Sequence, residues 1–175
     1  MSPERPLVVV GAPGSPYTRK LRAVLRYRRI PHAFVVRGAP EGRGLPRPRV
    51  DLLPQLILEG PAGPEAATDS TPLLRILEAL GPGRSVIPPD PALAFVDALL
   101  EDYADEWLTK AMFHYRWAFA PDVAQAKALL PRWARTDLPE AEAVALGARF
   151  GERQIARLAV LAGTGCERLF AEPAR

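Results

Sequence analysis

Pro6-Leu7-Val8-Val9-Val10-Gly11-Ala12-Pro13-Gly14-Ser15-Pro16-Tyr17-Thr18-Arg19-Lys20-Leu21 carries the reading that decides the fold. Four consecutive apolar residues, Leu7 to Val10, have the length of a buried strand and end at the turn Gly11-Ala12-Pro13-Gly14. A small hydroxyl residue and a proline follow, and then Tyr17, Leu21, Val24 and Leu25 recur at helical spacing. That order predicts a strand, a tight turn and an amphipathic helix capped by Ser15 with Pro16 in its first turn. Ser15 thus stands where unpaired backbone N–H groups and the positive end of a helix dipole meet, a position that favours an anion or a thiolate.

Downstream the pattern repeats in shorter pieces. Ala33-Phe34-Val35-Val36 reads as a second strand, parallel to the first in a βαβ unit. Gly38 to Arg49 is rich in Gly, Pro and Arg and reads as an irregular loop. Gln55-Leu56-Ile57-Leu58 is a third strand behind Leu53-Pro54, and Ala66-Ala67-Thr68 a weak fourth. Asp69-Ser70-Thr71-Pro72 opens a helix with Leu73, Ile76, Leu77 and Leu80 on one face and Gly81 as its stop. Periodicity breaks in Gly81-Pro82-Gly83-Arg84-Ser85-Val86-Ile87-Pro88-Pro89. The expected division is therefore 1–80 as one domain, 81–90 as linker and 91–175 as a second domain.

The second part reads as helical throughout. Asp90-Pro91 begins a long helix through Leu93, Val96, Leu100, Tyr103, Trp107 and Met112 to about Trp117. Pro121 opens another, which Pro131 must end or kink. A third runs from about Asp137-Leu138-Pro139 through Val144, Phe150, Ile155 and Leu158, weakened by Gly147 and Gly151.

Three separated elements, in this order, resemble the glutathione transferase superfamily. Ser15-Pro16-Tyr17-Thr18-Arg19-Lys20 is similar to the active-site turn of thioredoxin-fold proteins, with Ser15 and Thr18 where a glutaredoxin-type motif carries two cysteines. Leu53-Pro54-Gln55-Leu56 resembles the family's proline before the third strand, normally cis, whose preceding residue offers its backbone to the cysteinyl part of glutathione. Asp69-Ser70 resembles the family's acid-Ser pair, which holds the γ-glutamyl carboxylate and ammonium. The resemblance covers most of residues 6–117. It implies a thioredoxin-like α/β domain followed by an all-α domain, with Ser15 as the catalytic residue and Ser15, Leu53, Pro54, Asp69 and Ser70 as the glutathione-binding set. Tyr17, Tyr103 and Trp107 are its candidates for an acceptor pocket. The function it implies is glutathione transfer, in detoxification, with glutathione as co-substrate and no metal, by a homodimer whose second substrate is an electrophile that the sequence does not name.

Each residue also has a plainer reading. Ser15 and Ser70 serve equally as N-caps, Pro54 as an ordinary strand-edge proline and Asp69 as a partner of a helix dipole. Core packing accounts for Tyr103 and Trp107 as well as a pocket floor does. The segment from Gly38 to Arg49 is shorter and more basic than the family's glycyl-binding region, so no residue there is carried over. The family's core helix, begun by a Ser/Thr-x-x-Asp box, has at most Thr164-Gly165-Cys166-Glu167 in its place, so the helical domain is expected to be incomplete. The runner-up function is a non-catalytic transferase-like module for protein association or chaperoning. Thiol-disulfide reduction is disfavoured, because neither Ser15 nor Thr18 can form a mixed disulfide.

Composition sets outer bounds. With 175 residues, 48% hydrophobic and 25% charged, the chain is of ordinary globular make-up. Its single cysteine, Cys166, cannot form an internal disulfide, no apolar run reaches the length of a membrane helix, and no signal peptide is visible, so the cytoplasm is the expected location. Ten basic residues stand between Arg19 and Arg49 against Glu41 alone. Such a stripe can serve an anionic ligand, but sparse aromatic interleaving speaks against nucleic acid. His32 and His114 lack metal-ligand spacing, and no G-x-S-x-G elbow, P-loop or dinucleotide fingerprint occurs.

Overall fold

The computed structural model describes residues 6–80, 83–133 and 137–162. They fall into two compact units, the first reaching Val86 and the second beginning at Ile87, with Trp133 grouped in the first.

The first unit follows the expected order: β1 (Leu7–Gly11), α1 (Pro16–Tyr27), β2 (His32–Val36), β3 (Gln55–Gly60), β4 (Gly63–Thr68) and α2 (Ser70–Ala79). The strands form one sheet in the order β2-β1-β3-β4. β1 and β2 are parallel, while β3 is antiparallel to both β1 and β4. The fourth strand is longer than the sequence suggests, because its backbone pairs along all of β3 although Pro64-Glu65 gives it little apolar pattern. Val9 and Leu56 are cross-strand partners, and both are fully buried. Leu21 and Leu25 of α1 and Leu73 and Leu77 of α2, each pair one turn apart, close over them to complete the core. This is the thioredoxin-like α/β arrangement. The opposite sheet face, which carries Val10 and Gln55, is bordered by the connection between β2 and β3, where one 3₁₀ turn (Pro40–Gly42) interrupts an otherwise irregular path.

The ten basic residues of 19–49 do not share a surface. Arg22 stacks on Phe34 with its guanidinium 3.9 Å from the ring centre, Arg28 is buried against Glu78, and Arg37 pairs with Asp51. Burial, reinforced by the neighbouring Arg26 charge, pulls the Arg22 guanidinium below its usual range.

The second unit is helical: α3 (Pro91–Asp102), α4 (Thr109–Ala118), α5 (Ala120–Leu129) and α6 (Glu140–Ala162). The single long helix expected from Asp90 to Trp117 is divided. A π-helical turn over Tyr103–Leu108 shifts the phase between α3 and α4. Asp90 caps α3, accepting hydrogen bonds from the N–H groups of Ala92 and Leu93 at 2.9 Å. Trp117 of α4 packs on Phe150 of α6. The glycines that weaken α6 as an isolated helix have a packing role, since a Cβ at Gly147 would clash with the Lys127 carbonyl oxygen of α5. Small residues thus allow close approach, and Ala126 and Ala143 are buried in the same layer. Gly81 and the Thr164-Gly165-Cys166-Glu167 segment lie outside the described residues.

Candidate functional site

Register brings the three sequence elements to one end of the sheet. Val10, near the end of β1, pairs with Gln55 at the start of β3, and Gln55 pairs with Thr68 at the end of β4. Ser15, Leu53 and Asp69 are each within a few residues of these partners. The chain leaves β1 towards Ser15, enters β3 from Leu53 and leaves β4 into Asp69, all at that same end. A hydrogen bond from Lys20 Nζ to Thr71 Oγ1, 3.4 Å, ties the first turns of α1 and α2 together there.

At α1 the helix start is capped by a hydroxyl. Ser15 is the N-cap, and its Oγ accepts from the Thr18 N–H at 3.3 Å. Accepting that bond leaves the hydroxyl's own hydrogen available as a donor, so capping and thiolate stabilisation are compatible roles for one side chain. No acidic residue lies in the first turn of α1, which holds Arg19 instead, so the positive end of the helix is not neutralised from within. Thr18 is fully buried and its Oγ1 accepts from the Ala12 N–H at 3.4 Å. That hydroxyl has the structural role of bracing the turn.

At α2 the chemistry differs. Asp69 is the N-cap and accepts from the Thr71 N–H at 3.3 Å, with its own backbone at φ 77°. A non-glycine residue held in this half of backbone space carries strain, which proteins concentrate at ligand clamps and active sites. Ser70 follows at 3% exposure. Asp69 places a carboxylate beside this helix start, whereas α1 offers only a hydroxyl. One end suits an anion and the other a mixed ammonium-carboxylate group. Between them the Leu53–Pro54 bond is cis and Pro54 is fully buried.

The acceptor-pocket candidates are not brought together within either unit. Tyr17 is half-buried in the first, whereas Tyr103 and Trp107 stand on the π-helical turn of the second, each more than half exposed. Neither is packed into a core among the described residues. Trp107 is instead faced by Lys110 Nζ, 4.5 Å from its ring centre. His114 is a packing residue between Tyr115 and Phe119, and the His32 ring meets the Ile30 carbonyl. Sequence reasoning did not single out Trp133. Its ring lies against Gly14, one residue before Ser15, and no local pattern signals a contact between positions so far apart in the chain.

Comparison with known proteins points to the same fold. Residues 9–85 match the family of the glutathione S-transferase N-terminal domain. That segment is similar to the glutathione S-transferase N-terminal domain. No curated protein matches the chain. Among solved structures, the Tau-class glutathione S-transferase of mango, Mangifera indica, superposes with a TM-score of 0.53 at 15% identity, over 97% of this chain and 90% of that one. A maleylacetoacetate isomerase from Anaeromyxobacter dehalogenans, solved with glutathione in its active site, gives 0.50 at 16% identity, over 91% of each chain. A glutathione transferase homologue from Burkholderia, with bound glutathione, gives 0.50 at 13% identity, over 94% of this chain and 99% of that one. At these identities the likeness is one of fold.

Proposed function

We propose that this protein binds glutathione and promotes attack of its thiolate on an electrophilic small molecule. The observation that carries the reading is the convergence of Ser15, Leu53-Pro54 and Asp69-Ser70 on one end of the sheet in a chain whose residues 9–85 match the glutathione S-transferase N-terminal domain. Ser15 Oγ donates a hydrogen bond to the sulfur, and the start of α1 adds its unneutralised partial charge. Together they lower the thiol's pKa, so that the proton passes to solvent before attack. The Leu53 backbone aligns the cysteinyl part. Ser70 binds the γ-glutamyl carboxylate and Asp69 its ammonium. In the transfer step a carbon–sulfur bond forms, and either a leaving group departs with its electron pair or the electrophile's double bond takes up a proton. Tyr17, Tyr103 and Trp107 are the side chains proposed for the acceptor. Turnover of an electrophilic nitroarene with glutathione, lost in Ser15→Ala, tests this reading.

Pairing of two copies belongs to the same proposal. α3 buries none of its residues, and eight large apolar side chains from Leu93 to Leu108 are 47–68% exposed. A contiguous apolar surface of this kind marks association. The same observation favours the second reading, an association module without catalysis. Retention on immobilised glutathione separates the two.

A further inference from the structure

The turn from β1 into α1 is closed by a hydrogen bond from the Ser15 N–H to the Ala12 carbonyl, 3.0 Å, with Pro13 and Gly14 at its corner. Both glycines of this stretch are points of close approach. A side chain at Gly11 would run into the buried Thr18, whose Oγ1 accepts from the Ala12 N–H. A side chain at Gly14 would run into the Trp133 indole at Cδ2, Cε2 and Cζ2. These three adjacent ring atoms lie at nearly equal distance from that point, so Gly14 meets the flat of the ring rather than its edge. Unlike Gly38, Gly44 and Gly63, Gly14 has no positive φ, so its backbone does not itself require glycine. What excludes a side chain there is the indole.

Trp133 comes from outside the elements that build the first unit, in the 3₁₀ turn Leu130–Trp133, yet it is grouped with that unit. Its contact falls on the residue directly before Ser15, whose Oγ is the proposed donor to the glutathione sulfur. Thr18 holds the turn at Gly11 and Ala12. At the corner, Pro13 fixes its own φ, whereas Gly14 has the widest backbone freedom of any residue type. Packing against a rigid ring removes that freedom where it would most affect Ser15. The geometry of such a donor matters, because a displacement of about 1 Å at a reacting centre can cost on the order of 10²-fold in rate.

We infer that Trp133 is a positioning residue for Ser15, acting through Gly14, in the transfer reaction proposed above, on which this inference rests. The full chain with Trp133→Ala tests it, by titrating the ultraviolet absorbance of glutathione's thiolate on the protein and by turnover of a nitroarene. A misplaced Ser15 stabilises the thiolate less, so the bound thiol's pKa should rise and the acidic limb of the pH profile should move to higher pH. Turnover at neutral pH should fall about tenfold, while glutathione affinity stays within about twofold of wild type. Trp133→Phe keeps a flat ring and should retain most of the activity. Adding Trp133→Ala to Ser15→Ala should cost nothing further, because the first acts only through the second. Gly14→Ala presses on the indole from the turn and should raise the thiol pKa likewise; it decides the matter if Trp133→Ala loses its fold. An unchanged thiol pKa in the folded variant, weakened glutathione binding with kcat intact, or a loss that adds to that of Ser15→Ala would each overturn the inference. Unchanged turnover in Ser15→Ala would instead overturn the reading beneath it, so the two failures are distinct results.

Discussion

Arg28 and Glu78 meet across the first unit, with Arg28 Nη1 2.7 Å from a Glu78 carboxylate oxygen and the arginine side chain only 3% exposed. Glu78 also accepts from Ser85 Oγ at 2.8 Å and from the Val86 N–H at 3.0 Å, and Arg84 lies over the Tyr27 ring at 4.1 Å. One carboxylate therefore joins α1, α2 and the segment that leads out of the unit. Glu78→Ala removes the carboxylate facing a buried guanidinium, and urea unfolding should register a loss of up to about 3–5 kcal/mol. Cleavage by protease near residues 84–88 should rise in parallel. A loss below about 1 kcal/mol, the scale of an exposed pair, would mean that the pair contributes little.

Ser15 is expected to act on turnover more than on affinity, since its hydroxyl reaches only the sulfur. Ser15→Ala should lower kcat with a nitroarene by ~10²-fold, the scale of removing one stabilising donor, with a smaller change in glutathione affinity. The variant also loses its N-cap bond to Thr18, at a cost of about 1 kcal/mol in stability, so the assay belongs well below Tm. Unchanged turnover would sink the assignment and make the Tyr17 hydroxyl the next suspect.

Ser70 has the opposite expectation, because it serves a part of glutathione remote from sulfur. Calorimetry on Ser70→Ala should show binding weakened by ~1–3 kcal/mol, the range for hydrogen bonds to charged groups. Wild-type affinity would remove the acid-Ser pair from the site.

Gly147→Ala probes the second unit. The added methyl would clash with the Lys127 carbonyl oxygen, a backbone atom that moves only if α5 moves. Overpacking of this kind costs about 1–3 kcal/mol, readable as a lower Tm. Alanine is otherwise the better helix former, so an unchanged or raised Tm would show that α5 and α6 have room to separate.

Association is read by sedimentation. With α3 apolar and unburied, the chain should run as a dimer or larger, or bind a dye specific for exposed apolar surface. A compact, dye-silent monomer would overturn this expectation.

Local chemistry made much of the first unit legible. A run of four apolar residues, a Gly-Ala-Pro-Gly turn, a Ser-Pro helix start and leucines one turn apart each carry their structure in a short window, because caps, turns and amphipathic faces depend on neighbours in the chain. The order of Ser15, Leu53-Pro54 and Asp69-Ser70 was likewise readable before any coordinates. Their arrival at one end of the sheet was not, since it depends on the pairing of Val10 with Gln55 and of Gln55 with Thr68, which only strand register decides. Tertiary structure also decided what the helical pattern left open. Leu93, Val96, Leu100, Tyr103 and Trp107 recur as a buried face would, yet they are exposed and uncovered among the described residues, while Gly147, which propensity counts against α6, lies against the Lys127 carbonyl of α5. Sequence sets which side chains could form a core or a site; whether they do depends on which surfaces meet, and that is a property of contacts distant along the chain.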